Sequence, residues 1–156
     1  MMTLKQILVA TDFSEASCAA LEQGRALAAA FNAQLHLLHV VAAPLHETWV
    51  GYTPGEEFVK LVEQLQTEAR TRLEGAVPPD DVANGRIVVA TAWGDPSDEI
   101  LKYVDRHGID LMVCGTHGRR GWNHLMMGSV AERIVRLAPC PVLTVHADAT
   151  QTRAAA

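Results

Sequence analysis

Residues 7–14 read Ile7-Leu8-Val9-Ala10-Thr11-Asp12-Phe13-Ser14. An apolar run without polar alternation suits a strand covered on both faces, the strand type of parallel sheets. The run stops at Thr11-Asp12, and Ser14 can cap a helix by accepting from one of its first free N–H groups. The helix that follows carries Cys18, Leu21, Arg25 and Ala28 among further alanines, a small-residue face suited to close packing on a sheet. Asn32-Ala33 ends it.

The same strand-then-helix unit recurs outward from this stretch. Leu35, Leu37, Leu38, Val40 and Val41 form a second buried strand, and residues 42–54 a Pro- and Gly-punctuated loop bearing Trp49 and Tyr52. Phe58, Leu61, Val62, Leu65, Ala69 and Leu73 recur at helical spacing until Pro78-Pro79 stop the pattern. Ile87 to Ala90 make a third strand, and Gly94-Asp95-Pro96 opens a helix with Asp95 as N-cap and Pro96 at its first position. Ile100, Leu101 and Val104 give that helix its inner face, and Gly108 ends it. Ile109, Leu111, Met112 and Val113 predict a fourth strand. Val130, Ile134, Val135 and Ala138 predict a last helix that Pro139 ends, and Val142 to Val145 a fifth strand. Strands alternating with helices imply a parallel sheet with helices on both faces. A single domain over residues 1–147, with a frayed tail over 148–156, is the expected organisation.

Composition narrows the function classes. The chain has 156 residues, 49% hydrophobic and 20% charged, with a net charge of −5. A net negative chain offers no global basic field for nucleic acid or an anionic membrane, so neither partner is expected. No apolar run reaches membrane-spanning length, and no leader pattern precedes the first strand, so a cytoplasmic protein is expected. The three cysteines, Cys18, Cys114 and Cys140, are widely spaced. They read as reduced core thiols rather than a disulfide framework or a zinc site.

Between the fourth strand and the last helix stands Gly115-Thr116-His117-Gly118, then nine residues from Arg119 to Met127, then Gly128-Ser129. Glycines let an anion approach the main chain, and Ser129 stands at a helix start whose free N–H groups and dipole favour negative charge. The stretch is either a phosphate-binding loop or an ordinary connection, and its length favours the former, since strand-to-helix connections usually run about 2–6 residues. Arg119 and Arg120 can pair with phosphate oxygens or stay solvated. The pattern lacks the lysine of a Walker loop and the tight spacing of a dinucleotide fingerprint, which gives fast phosphoryl transfer little support.

In an open α/β sheet, ligands lie beyond the carboxyl ends of the strands where strand order reverses. If the first and fourth strands are neighbours, Asp12 and the glycine loop face one crevice. Asp12 then accepts from ribose hydroxyls, or else it is a turn residue. The seven histidines are scattered, and His36 and His39, three apart on one strand, point to opposite faces. No metal cage is expected, and no nucleophile elbow occurs around Ser14 or Ser129. Trp49 and Tyr52 read as a loop anchor into the protein's own core, or as a lid or partner contact.

With these residues assembled, the chain resembles the universal stress protein family, most closely its ATP-binding subgroup. The likeness runs over nearly the whole chain. It is carried by Ile7 to Ser14, by Leu37-Leu38-His39-Val40-Val41, by Gly94-Asp95-Pro96, by the Gly115-x2-Gly118-x9-Gly128-Ser129 loop and by Pro139 to Leu143. The resemblance implies a doubly wound five-stranded parallel sheet of strand order 3-2-1-4-5, with the adenine nucleotide alpha hydrolase-like arrangement. It also implies a bound ATP, with magnesium held mainly by the phosphates. By the same resemblance Asp12 contacts the ribose, Val40 offers main-chain groups to adenine, and Ala10 and Thr11 line the base pocket. Gly115, Gly118, Gly128, Ser129 and Val130 hold the phosphates, with Thr116, His117 and Arg119 in the same loop. Ala10 departs from the proline common there, which alters backbone rigidity rather than binding. The resemblance further implies a homodimer through the last strand, Pro141 to His146, which removes an exposed apolar edge. The function implied is a stress-response or signalling protein whose nucleotide state modulates conformation or partners, with at most slow hydrolysis. The alternative is a slow ATPase or adenylyl-transfer enzyme.

Overall fold

Ile7, Leu8 and Val9 are each 0% exposed because they lie in the middle strand of a sheet covered on both faces. A computed structural model describes residues 3–42, 55–116 and 127–147. Its elements run β1 (Gln6–Ala10), α1 (Glu15–Phe31), β2 (Gln34–Ala42), α2 (Glu56–Gly75), α3 (Pro79–Ala83), β3 (Ile87–Gly94), α4 (Pro96–His107), β4 (Leu111–Gly115), α5 (Ser129–Leu137) and β5 (Val142–Val145). The sheet is five-stranded, in the order β3-β2-β1-β4-β5, and every pairing is parallel. The expected doubly wound architecture is therefore present.

Alternation along the strands sorts the core into two layers. Ile7 and Val9 pack with Leu35, Leu37 and Val113 on the face that α1 and α2 cover. Leu8, Leu38, Met112 and Cys114 pack on the other face, against Ile100 and Val104 of α4 and Ile134 of α5. At the amino end of the sheet, Asp110 Oδ2 accepts from the main-chain N–H groups of Lys5 (2.7 Å) and Gln6 (2.9 Å), tying the start of β4 to the start of β1.

The local signals act as read. Ser14 caps α1, its side chain accepting from Ser17 N at 3.3 Å, and Asp95 caps α4, accepting from Asp98 N at 3.0 Å. Asn32 (φ 51°) and Gly108 (φ 58°) close α1 and α4 in the left-handed region. The readings of α1, of the cysteines and of Pro78-Pro79 change, and β4 starts at Leu111 rather than Ile109. The buried stripe of α1 is Ala16, Ser17, Ala19, Ala20, Gly24 and Ala28, while Cys18 and Arg25 are exposed. Only Cys114 is a fully buried thiol, its pKa pushed up to about 11 by burial; Cys140 is half-buried and Cys18 lies on the surface. The stop at Pro78-Pro79 is also a start, because Pro79 is the first residue of the short α3, where its fixed φ and missing N–H suit a helix.

His36 and His39 do point to opposite faces, and each is held. On the α4 side, His36 is 4% exposed. The Tyr103 hydroxyl donates to its Nδ1 (2.8 Å) and its Nε2 donates to Gln6 Oε1 (2.7 Å). His107 stacks on the Tyr103 ring at 3.9 Å. Burial foremost, and then the neighbouring His107 charge, hold the His36 pKa below its ordinary value. As pH falls through about 6.5, the unfolded chain takes up this proton and the folded chain resists it, so stability is complete above that pH and declines below it. Urea midpoints are expected to fall from pH 7.5 to pH 5.5, and to fall less in His36→Gln. An equal fall in both proteins would count against this assignment.

Candidate functional site

The strand order places β1 between β2 and β4, with α1 leaving β1 on one face of the sheet and α4 leading into β4 from the other. This is the topological switch point at which doubly wound sheets open a crevice. The last paired residues are Ala10 with Leu38 on one side and Ala10 with Cys114 on the other.

Thr11, Asp12 and Phe13 turn the chain from β1 into α1 through a dense set of local bonds. Thr11 N donates to Leu38 O (2.9 Å), and Thr11 Oγ1 lies 2.9 Å from Ser17 Oγ while accepting from Phe13 N (3.0 Å). Asp12 Oδ1 accepts from Ser14 N (3.0 Å). His39 Nδ1 donates to Thr11 O (2.8 Å). Phe13 has φ 63°, a conformation uncommon for a bulky side chain and worth notice when it stands at a strand end beside a candidate site.

Val40 owes its place to the ladder. Gln34 N donates to Lys5 O and Leu38 O accepts from Thr11 N, whereas Leu35 N donates to Arg86 O. Even-numbered residues of β2 thus turn their main-chain groups toward β1, and odd-numbered ones toward β3. Val40 is the next even residue after Leu38, past the last β1 pair, so its N–H and C=O are directed into the crevice. Its side chain, like those of Ala10 and Val130, is partly buried against the core layer on the α4 and α5 side of the sheet, which makes this end of the sheet apolar there.

Thr116, 3% exposed, closes the other side. Its N–H donates to Val145 O (2.9 Å), its carbonyl accepts from Gly128 N (2.7 Å), and its hydroxyl lies 3.1 Å from His146 Nδ1. The two ends of the glycine loop therefore meet at one hydrogen bond. α5 starts immediately afterwards at Ser129 with Gly128 as N-cap and no side-chain cap. A helix start leaves its first N–H groups without intrahelical carbonyl partners and carries the positive end of the dipole, and the start of α5 lies at the carboxyl end of β4. Arg133 holds α5 there, donating to Asp95 Oδ1 (3.2 Å) and Asp98 Oδ1 (2.5 Å) at the start of α4. Gly115 has a packing reason to be glycine: a Cβ there would lie 2.8 Å from the Ala16 carbonyl carbon and 3.0 Å from Ser17 N.

The strand ends thus bring Ala10, Thr11, Asp12, Val40, Gly115, Thr116, Gly128, Ser129 and Val130 to one end of the sheet. His117, Gly118, Arg119 and Arg120 lie outside the described residues, as do the Trp49 and Tyr52 loop and the tail. Phe13, His39 and Arg72 had no sequence signal as site residues. The Arg72 guanidinium sits 3.8 Å from the centre of the Phe13 ring, a contact between residues 59 positions apart. Assembled, the crevice offers an acceptor, directed main-chain groups, an apolar wall and a helix N-terminus, which suits a ligand with a flat base, hydroxyls and an anionic end.

Comparison with known proteins agrees with the fold. A model of the universal stress protein family matches residues 3–146. Universal stress protein YxiE of Bacillus subtilis is 31% identical over 145 residues, covering 90% of this chain and 98% of that protein. The solved structure of universal stress protein UspA from Lactobacillus plantarum superposes with a TM-score of 0.75 at 25% identity, covering 93% of this chain and 99% of that one. A universal stress protein crystallised in complex with cAMP gives a TM-score of 0.59 at 25% identity, covering 94% and 99%. With this sheet order and a family match over residues 3–146, the chain belongs to the universal stress protein family.

Proposed function

We propose that the crevice binds an adenine nucleotide, ATP in particular, and that the protein acts as a homodimeric stress-response or signalling protein whose bound nucleotide shifts its conformation or its partners. The observation that carries this reading is the Thr116–Gly128 hydrogen bond, which sets the N-terminus of α5 at the carboxyl end of β4 beside β1. The cAMP held by a solved relative supports an adenine ligand. Asp12 accepts from the ribose, the main chain of Val40 meets adenine, and Ala10 and Thr11 line the base. Gly118, Gly128, Ser129 and Val130 take the phosphates, with His117 and Arg119 beside them. Gly115 and Thr116 serve by letting α1 approach and by closing the loop. Magnesium would be held mainly by the phosphates of the nucleotide. The sequence from Gly115 to Ser129 contains no lysine of the Walker kind, which gives fast phosphoryl transfer little support and favours at most slow hydrolysis. The dimer pairs Pro141 to His146 of two copies at the β5 edge, where Leu143 is 39% exposed.

ATP with magnesium at a hundred times its Kd is expected to stabilise the fold by about 2.7 kcal/mol, a rise in Tm of roughly 5–10 °C. Asp12→Ala and Gly118→Val are expected to remove the rise. No rise in the parent protein would overturn the proposal. Native mass spectrometry of freshly purified protein reports the dimer and any retained nucleotide together. No helix among the described residues is long and apolar enough to cross a membrane.

A further inference from the structure

We propose that Arg72, on the last turns of α2, is a positioning residue for the ribose end of the nucleotide, acting through the ring of Phe13. The inference rests on the nucleotide reading above and extends it to a helix that has no part in the crevice itself.

Phe13 follows Asp12 directly, at φ 63°. A bulky residue holds that conformation only where its surroundings over-determine it. The main chain supplies one restraint, Phe13 N donating to Thr11 Oγ1 at 3.0 Å. The ring supplies the others. The Arg72 guanidinium lies over it at 3.8 Å from the centroid, and the His39 ring lies 4.5 Å from it, tilted by 37°. His39 is itself fixed to Thr11 O at 2.8 Å. Phe13 is thus gripped by α2 and β2 together, and rotation about its backbone swings the adjoining Asp12 away from the crevice.

The grip from α2 is suited to be permanent. A guanidinium over an aromatic face is favourable by electrostatics and stacking. Arg72 is exposed on its outer side, so its truncation leaves the core intact. Its neighbour Leu73, 0% exposed, anchors the same turn in the core and fixes where Arg72 stands.

The test compares ATP with 2′,3′-dideoxy-ATP, which lacks the hydroxyls that Asp12 accepts from, in the parent, Arg72→Ala and Arg72→Lys proteins by titration calorimetry. The parent is expected to prefer ATP. In Arg72→Ala the Kd for ATP is expected to rise about 2.5–5-fold, the range of an exposed cation–π contact, with little change for the dideoxy analogue, so the preference collapses. Arg72→Lys keeps a cation over the ring and is expected to recover part of the preference. An ATP Kd within twofold of the parent, or equal weakening of both nucleotides, would overturn the role of Arg72 while leaving nucleotide binding standing. A parent protein that binds neither nucleotide would instead overturn the binding proposal and this inference with it.

Discussion

Leu73→Ala is expected to lower the unfolding free energy by about 2–5 kcal/mol, the range for a leucine truncated in a packed core. Leu73 has 0% exposure and packs in the layer formed with Leu35, Leu37, Ile87 and Val89. The position matters more than usual because, of the residues of α2, only Ala69 and Leu73 are buried. Farther toward its start the helix leaves Val59, Leu61 and Leu65 exposed and meets β3 through the Phe58 ring set edge-on to Trp93, so its buried side chains lie in the last turns. Urea denaturation checks the loss: the midpoint should drop with an unchanged slope. A loss below about 1 kcal/mol would mean that α2 settles into the cavity, outside the range seen for such truncations.

Gly115→Val is expected to cost at least about 3 kcal/mol, the upper end of overpacking, and to remove nucleotide-dependent stabilisation as well. The contacts a Cβ would make are at 2.8 Å to Ala16 C, 2.9 Å to Ala16 Cβ and 3.0 Å to Ser17 N. Two of these are main-chain atoms in the first turn of α1, which cannot yield by changing a rotamer. The helix must move, and with it Ser14 and Ser17, which hold the Asp12 turn. Differential scanning calorimetry with and without ATP reads both effects. A variant that keeps the parent's Tm would show that α1 has freedom to shift which the close contact denies.

What could be read in the sequence follows contrast in hydrophobicity. The strands stood out because Ile7 to Ala10 and Leu111 to Val113 contain no polar residue, and the caps at Ser14, Asp95 and Gly108 because each does a job few residue types can do. The inward face of α1 did not stand out, because alanine on every side gives little contrast. Its orientation is set instead by fit, since a Cβ on Gly24 would collide with the Val9 side chain, a fact available only once the helix lies on the sheet. β3 runs on to Gly94, beyond the apolar run that ends at Ala90, because Thr91 to Gly94 pair with His39 to Ala42 of β2. Main-chain pairing carried that strand past its hydrophobic signal. In the crevice, Asp12 and the glycines were visible as residue types in a telling order. The direction of the Val40 main chain depends on strand register, and the Arg72 contact with Phe13 on packing, and neither leaves a mark in local sequence.

The hydrogen bond from Gly128 N to Thr116 O has a consequence for how this chain can vary. Because the ends of the segment meet at a fixed point, the entropy of closing it changes slowly with its length, by about 0.6 kcal/mol for each doubling. By that general argument, length between two such anchors is a weak constraint, whereas displacing either anchor, Thr116 or Gly128, acts directly on the end of β4 and the start of α5.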